Sequence, residues 1–199
     1  MPRLTGIARK RDIACKALLK DARAILDAEG NGEVPLSRIK ALVLALAARH
    51  DLFPKSDFAM PEAQGRNHPL AIEDGDGMGL YLTIAMPGRE AAPHDHGIWC
   101  INAGLEGREL HRFFRRTDDG SREGFGQVEE IGQSLVAPGL AMVMEDHTIH
   151  SNEIVGNETA WGLALYGYAL VRFPPVLFFH PQWGTTRHMP NRRPQSVVS

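Results

Sequence analysis

The sequence predicts a mainly β barrel or sandwich carrying an N-terminal helical segment. Three observations lead there. From about Arg66 onward, short runs rich in apolar and aromatic residues alternate with turn residues at a spacing of about 8–12 residues, the texture of an all-β sandwich or barrel. Before that point the apolar residues recur at helical rather than strand spacing. Within the β region, His94 and His96 form an H-x-H pair with a further histidine, His150, downstream.

Residues 6–29 read as an amphipathic helix, with Ile7, Ile13, Ala14, Ala17, Leu18, Ile25 and Leu26 inward and Gly30 and Gly32 ending it. A second helix is expected over about 36–50, with Leu36, Ile39, Leu42, Val43, Leu46 and Ala47 inward and Ser37 and Asp51 near its boundaries. Pro54 and Pro61 mark a loop. The strand candidates are residues 69–74, 78–86, 97–104, 108–116, 125–132, 134–139, 140–146, 149–156 and 159–170, and TDDG at 117–120 is a hairpin signal. The Pro-broken apolar stretch VRFPPVLFFHPQWG is expected as extended chain packed on the barrel, and the end after about Met189 as loose. The chain is read as a single domain over 1–199, with helices in 1–55 packed on a barrel in 66–185 and a tail over 189–199.

Composition narrows the function classes. The 199 residues are 43 % hydrophobic, ordinary for a globular protein with a sizeable core. The net charge of −2 gives no basic field for nucleic acid or an anionic membrane. The basic patches HRFFRR (111–116) and RHMPNRR (187–193) read as solvated strand edges and tail. No run approaches the ~18 apolar residues of a membrane span, and the first residues lack the apolar stretch of a signal peptide. Two cysteines, Cys15 and Cys100, make no disulfide framework, so a cytoplasmic location with reduced thiols is the expectation.

Side chains two apart on a strand point the same way, so His94 and His96 would aim two imidazoles at one place. A third imidazole from a facing strand would complete a three-nitrogen metal site with open positions. His150 is the favoured third ligand and His147 its rival, since EDHTIH offers both. On one strand their separation of three would put them on opposite faces, so that only one could point inward. Arg66 and Arg172 are candidate anchors for a substrate carboxylate, because the planar guanidinium binds carboxylate bidentately. Trp99 and Trp161 either shape the pocket or belong to the core. Glu106, in a glycine-flanked turn, reads as structural, and His68, His111, His180 and His188 as ordinary surface or satisfied core histidines.

The segment Gly88–Gly107 resembles the first cupin motif, G-x5-H-x-H-x3,4-E-x6-G. Gly88, His94, His96 and Gly107 fit it, while Cys100 stands at the glutamate position. Residues 66–170 thus look like a cupin, a double-stranded β-helix (jelly-roll) barrel, and more narrowly resemble the cysteine dioxygenase and thiol dioxygenase group. Residues 149–167 are similar to that group's second motif, which places His150 as third ligand and Tyr166 as the active-site tyrosine. The resemblance implies Fe(II) held by three neutral histidines, with Zn, Ni or Mn compatible with the same donors. It implies a small thiol of the cysteine or 3-mercaptopropionate type and O2 as the partners, oxidised thiol as sulfinic acid, Arg66 as the carboxylate clamp, and a Cys100–Tyr166 pair that in some members is crosslinked. The sequence departs from the group at the Ser and His that precede the tyrosine, where Gly162 and Ala164 stand. A metal-dependent cupin enzyme of another class, a non-catalytic ligand-binding cupin and a homo-oligomer remain compatible with the sequence.

Overall fold

A computed structural model describes residues 6–180 and 182–189. Two helices lead, α1 (Gly6–Glu29) and α2 (Glu33–Ala47). α2 begins three residues earlier than the apolar pattern suggests. Pro35 falls in its first turn, where the missing N–H would have had no intrahelical partner. Ser37 therefore lies inside the helix, and Asp51 lies in a separate 3-10 turn. The buried stripe of α1 is Cys15, Leu18, Leu19 and Ala22, while Ile7 and Ile13, expected inward, are exposed. Ile7 and Ile13 lie off the face of α1 that packs on the rest of the protein, a face marked at the start of the helix by Arg11, which donates to the Leu52 carbonyl and to Asp57.

Eleven strands follow among the described residues: β1 (Gly65–Ile72), β2 (Gly79–Ala85), β3 (Glu90–Asp95), β4 (Cys100–Glu106), β5 (Glu109–Arg116), β6 (Val128–Val136), β7 (Ala141–Met144), β8 (Ile149–Ile154), β9 (Ala160–Tyr166), β10 (Val176–His180) and β11 (Thr185–Met189). They form two antiparallel sheets, ordered β1-β2-β9-β4-β7 and β11-β10-β3-β8-β5-β6. From β2 to β5 and from β6 to β10 each strand lies in the other sheet from the one before, which produces a jelly-roll, double-stranded β-helix barrel, while β1–β2, β5–β6 and β10–β11 pair within one sheet. β6 runs through Gly132, where the sequence suggested a break, and a register shift at Phe113/Phe114 absorbs the irregularity. The Pro-broken C-terminal stretch supplies β10, which joins β3 through Leu177 opposite Asp95 and Phe178 opposite His94. Met189, placed at the start of the tail by the sequence, pairs with Val176, and residues 190–199 lie outside the described ones.

The central strands of the five-stranded sheet, β2, β9 and β4, are largely buried on both faces. Leu80, Leu82, Ile84, Ile101, Ala103, Leu163 and Leu165 pack with Leu36, Ile39 and Val43 of α2 in one apolar cluster. Each of the Leu, Ile and Val side chains taken out of water contributes roughly 1.5–3 kcal/mol. Double burial explains why LYLTIAM reads as a continuous apolar run rather than an alternating one. The helices thus close the outer face of this sheet, and its inner face is free to line the barrel interior. No described helix is long and apolar enough to cross a membrane.

Candidate metal centre

β3 carries His94 into the barrel through an irregularity. The register with β8 runs Ala91 opposite Asn152 and then His94 opposite His150, so β3 has one extra residue in the ladder. Pro93 sits in that bulge, where no ladder N–H is required of it. The Nδ1 of His94 lies 2.8 Å from the carbonyl oxygen of Ala92 and donates to it in the tautomer that leaves Nε2 as a free donor atom. His96 follows just beyond the strand end. There Asp95 Oδ1 accepts from the N–H of Gly97 at 2.6 Å, and Gly97 takes φ +70°, which turns the chain back.

His94, His96 and His150 converge: one ligand nitrogen from each lies within 4.8 Å of the other two. The Nε2 atoms of His94 and His96 are 2.8 Å apart. Ring centroids are separated by 4.7 Å for His94 and His96, 4.4 Å for His94 and His150 and 4.9 Å for His96 and His150. Burial lowers the pKa of His94 to about 4 and that of His96 to about 3, and pushes His150 well below its ordinary value, with the neighbouring histidines adding to the shift in His96 and His150. All three are therefore neutral at physiological pH, the form that binds a metal. The Nδ1 of His150 is buried with no hydrogen-bond partner. Three neutral imidazoles with converging donors and room beside them suit a divalent first-row ion.

His147 is elsewhere. It occupies a turn with φ +61°, its side chain is 77 % exposed, and its Nδ1 lies 3.2 Å from Asp95 Oδ2. The turn before β8, rather than opposite faces of one strand, separates it from His150.

A cavity of about 720 Å³ opens over the three histidines. Arg66 on β1, Trp161 on β9 and Tyr166 line it. Cys100 and Tyr166 stand directly opposite each other on β4 and β9, and the Cys100 thiol also lies 3.4 Å from Asn102 Oδ1. Burial raises the pKa of Tyr166 well above its ordinary value, with the Cys100 and Glu109 charges adding, so the phenol keeps its proton. Burial likewise raises the Cys100 thiol, against the opposing effect of its Tyr166 contact. Gly162 lines the cavity without a side chain, and Ala164 is fully buried. Opposite Ala164 stands the buried ring of Tyr81, edge-on to Tyr166 at 6.0 Å between centroids, its hydroxyl accepting from the N–H of Leu170.

Trp99 does not line the cavity. It belongs to the core between sheet and helices, and its backbone N–H donates to Asp146 Oδ1 at 2.7 Å. One position along the strand from Cys100, it faces the opposite side. Arg172 is also outside the cavity lining: it donates to the carbonyl of Gly75 and lies over the ring of Tyr168. Glu106 is exposed and pairs with Lys55. The arginines of HRFFRR face acidic partners, Arg112 with Glu153, Arg115 with Glu129 and Arg116 with Asp118, so this strand carries no free basic field.

Several site residues escape a sequence reading. Phe178 stacks on His94 at 5.0 Å, and Phe173 lies 5.7 Å from His96 and 5.1 Å from Tyr166. Both come from the segment read as packing chain. His111, read as an ordinary histidine, is 2 % exposed, lines the cavity and leaves both ring nitrogens without a hydrogen-bond partner. The available signal was alternation: Glu109, His111 and Phe113 share one face of β5, and Phe113 is apolar.

No protein-family model matches this sequence, and no curated protein matches it significantly. Solved structures resemble it in fold. A cupin superfamily protein from Desulfitobacterium hafniense is 18 % identical, with a TM-score of 0.40 over 57 % of this chain and 85 % of its own. Oxalate oxidase in complex with the substrate analogue glycolate is 16 % identical, with a TM-score of 0.44 over 63 % of this chain and 61 % of its own. The cupin domain of an XRE family transcriptional regulator from Enterobacter cloacae is 15 % identical, with a TM-score of 0.38 over 53 % and 98 %. At these levels the functional reading rests on this chain's own residues.

Proposed function

We propose that this chain is a metal-dependent cupin enzyme that oxidises a small thiol to its sulfinic acid, with Fe(II) held by His94, His96 and His150. The observation that carries the reading is the all-histidine donor set lying in one cavity with Tyr166, behind which the buried Cys100 stands opposite on β4. Three neutral ligands leave a divalent ion its full charge, and when bound the iron would supply a site that stabilises thiolate and accepts dioxygen. The reaction balances without a further reductant: the thiol and one O2 give the sulfinic acid, sulfur losing four electrons and both oxygen atoms ending on it.

The residues of the chain have defined tasks in this reading. Tyr166, protonated at neutral pH, donates a hydrogen bond toward the reacting group. Arg66 holds the carboxylate of the thiol at the cavity wall. Phe173 and Phe178 keep water from the histidines. The test is oxygen uptake by Fe(II)-loaded protein with a panel of small thiols, cysteine and 3-mercaptopropionate included. One O2 consumed per sulfinate formed is expected, and no uptake with any thiol overturns the reading.

The replacement of the Ser-His pair by Gly162 and Ala164 favours one second reading, a metal-dependent cupin enzyme acting on a substrate other than a thiol. Purified protein that holds Zn or Mn and is inert to thiols would support it.

A further inference from the structure

The inner face of the five-stranded sheet carries two polar side chains that the proposed reaction does not use. Residues two apart on a strand share a face, so Cys100, Asn102 and Gly104 of β4 fall in one row. Gly162, Ala164 and Tyr166 of β9 fall in the next, with β2 on the far side. Asn102 stands opposite Ala164, and Thr83 of β2 stands opposite Gly162. Both Asn102 and Thr83 line the cavity. They flank from either side the stretch of β9 that leads to Tyr166. Asparagine is depleted in strands, and the residues of β4 before Glu106 are otherwise apolar.

Asn102 is held on one side and open on the other. Burial keeps the proton on Cys100, and the thiol donates to Asn102 Oδ1 at 3.4 Å. With its oxygen on the thiol, the amide turns its NH2 group away from Cys100. Nδ2 has no hydrogen-bond partner among the described residues, and Asn102 is only half-buried, so these N–H groups open on the cavity. Thr83 is likewise half-buried, and its hydroxyl has no partner among the described residues. Gly162 keeps that hydroxyl uncovered. A Cβ there would stand 3.2 Å from Thr83 Oγ1 and 3.0 Å from the carbonyl oxygen of Ala103. Donors from β2 and β4 thus border Gly162 and Ala164, whose small size leaves room between them.

We infer that Asn102 and Thr83 form a donor subsite for an oxyanion, a sulfinate or carboxylate oxygen, on the ligand bound at the three histidines. Asn102 Nδ2 and Thr83 Oγ1 donate to it, and Cys100 is the positioning residue that fixes the amide. Donors held in place before the ligand arrives stabilise negative charge without having to reorganise. The inference rests on the metal reading above, and its test separates the two.

Protein loaded with Co(II) is titrated with methanesulfinate, with acetate and with imidazole, a metal ligand that has no oxygen. Asn102→Leu is expected to weaken at least one oxyanion at least about fivefold and imidazole by less than about twofold. Asn102→Asp, which puts a charged acceptor in place of the donors, should weaken the same oxyanion further, and Thr83→Val should weaken it too. A loss confined to methanesulfinate assigns the subsite to the sulfinate, and one confined to acetate assigns it to the carboxylate. Equal losses for imidazole, or none for either oxyanion, overturn the subsite, as does wild-type protein that holds Co(II) and neither oxyanion. Wild-type protein that takes up no Co(II) overturns the metal centre and the subsite with it. The metal-free protein reads the Cys100 contact by itself. The infrared S–H stretching band lost in Cys100→Ala should move to higher frequency in Asn102→Leu, with the Cys15 band unmoved. Cys100→Ser, which keeps a donor, should retain the oxyanion affinity that Cys100→Ala loses in part. An unmoved Cys100 band, or none in wild type, overturns the positioning role.

Discussion

His94 and His150 face each other across β3 and β8, their rings 4.4 Å apart between centroids. This direct pair exists because the bulge at Pro93 advances β3 by one residue against β8. The ladder itself therefore fixes two of the three donors, and His96 joins them from the turn that follows.

Removing either member of the pair should remove the metal while leaving the barrel. His94→Ala and His150→Ala are each expected to weaken Co(II) or Zn(II) affinity by more than about 100-fold, beyond the 10–100-fold typical of outer residues. His147→Ala, a change at an exposed turn, should leave affinity at the wild-type value. Competition titration against a chromophoric chelator measures all three.

The metal-free protein should lose stability as the solution is acidified below the ordinary histidine range. His94 and His96 titrate near 4 and 3 when folded, against 6.5 in the unfolded chain. Between those values the unfolded state binds protons that the folded state refuses, so unfolding is favoured progressively as pH falls from about 6.5 to about 4. Above 6.5 these groups contribute no pH dependence. Thermal melts across that window should show a falling midpoint in wild type and a shallower fall in His94→Gln. Equal slopes in the two proteins would contradict the assignment.

Apolar spacing marks α1 and α2, turn residues mark most strands, and the H-x-H pair and His150 are legible through their resemblance to the two cupin motifs. Strand alternation is not what brings His96 in: β3 ends at Asp95, and His96 joins from the turn that follows. What the sequence could not carry depends on register between distant strands. His111 faces the cavity because β5 pairs with β8 to bring it opposite Asn152, and nothing in HRFFRR announces that pairing. Phe178 covers His94 only because β10 adds to the edge of β3. Trp99, adjacent in sequence to Cys100, faces the helices because both faces of the adjoining β4 are largely buried, which erases the usual polar-apolar contrast.

Both thiols should be unreactive in the native protein. Burial pushes Cys15 up to about 12 and raises Cys100 further, so the thiolate that attacks a disulfide reagent is scarce at neutral pH. A thiol assay should find no fast-reacting group in the folded state and two after unfolding. A single thiol after unfolding, with a mass lower by two hydrogens, would instead mark a thioether between Cys100 and Tyr166.

The two motif glycines should differ in what they tolerate. Gly88 and Gly107 both have positive φ, +77° and +67°, a region that side-chain-bearing residues enter at a cost of roughly 1–2 kcal/mol. A Cβ at Gly88 would meet nothing within 4 Å. At Gly107 it would stand 2.7 Å from the carbonyl oxygen of Thr159 and 2.8 Å from the Cα of Ala160, both backbone atoms that cannot swing aside. Crowding of that kind adds roughly 1–3 kcal/mol. Gly107→Ala should therefore lower the denaturation midpoint clearly more than Gly88→Ala, measured in urea with an unchanged slope. If the two variants unfold at the same urea concentration, the close approach of β4's end to the start of β9 is not part of what holds the barrel together.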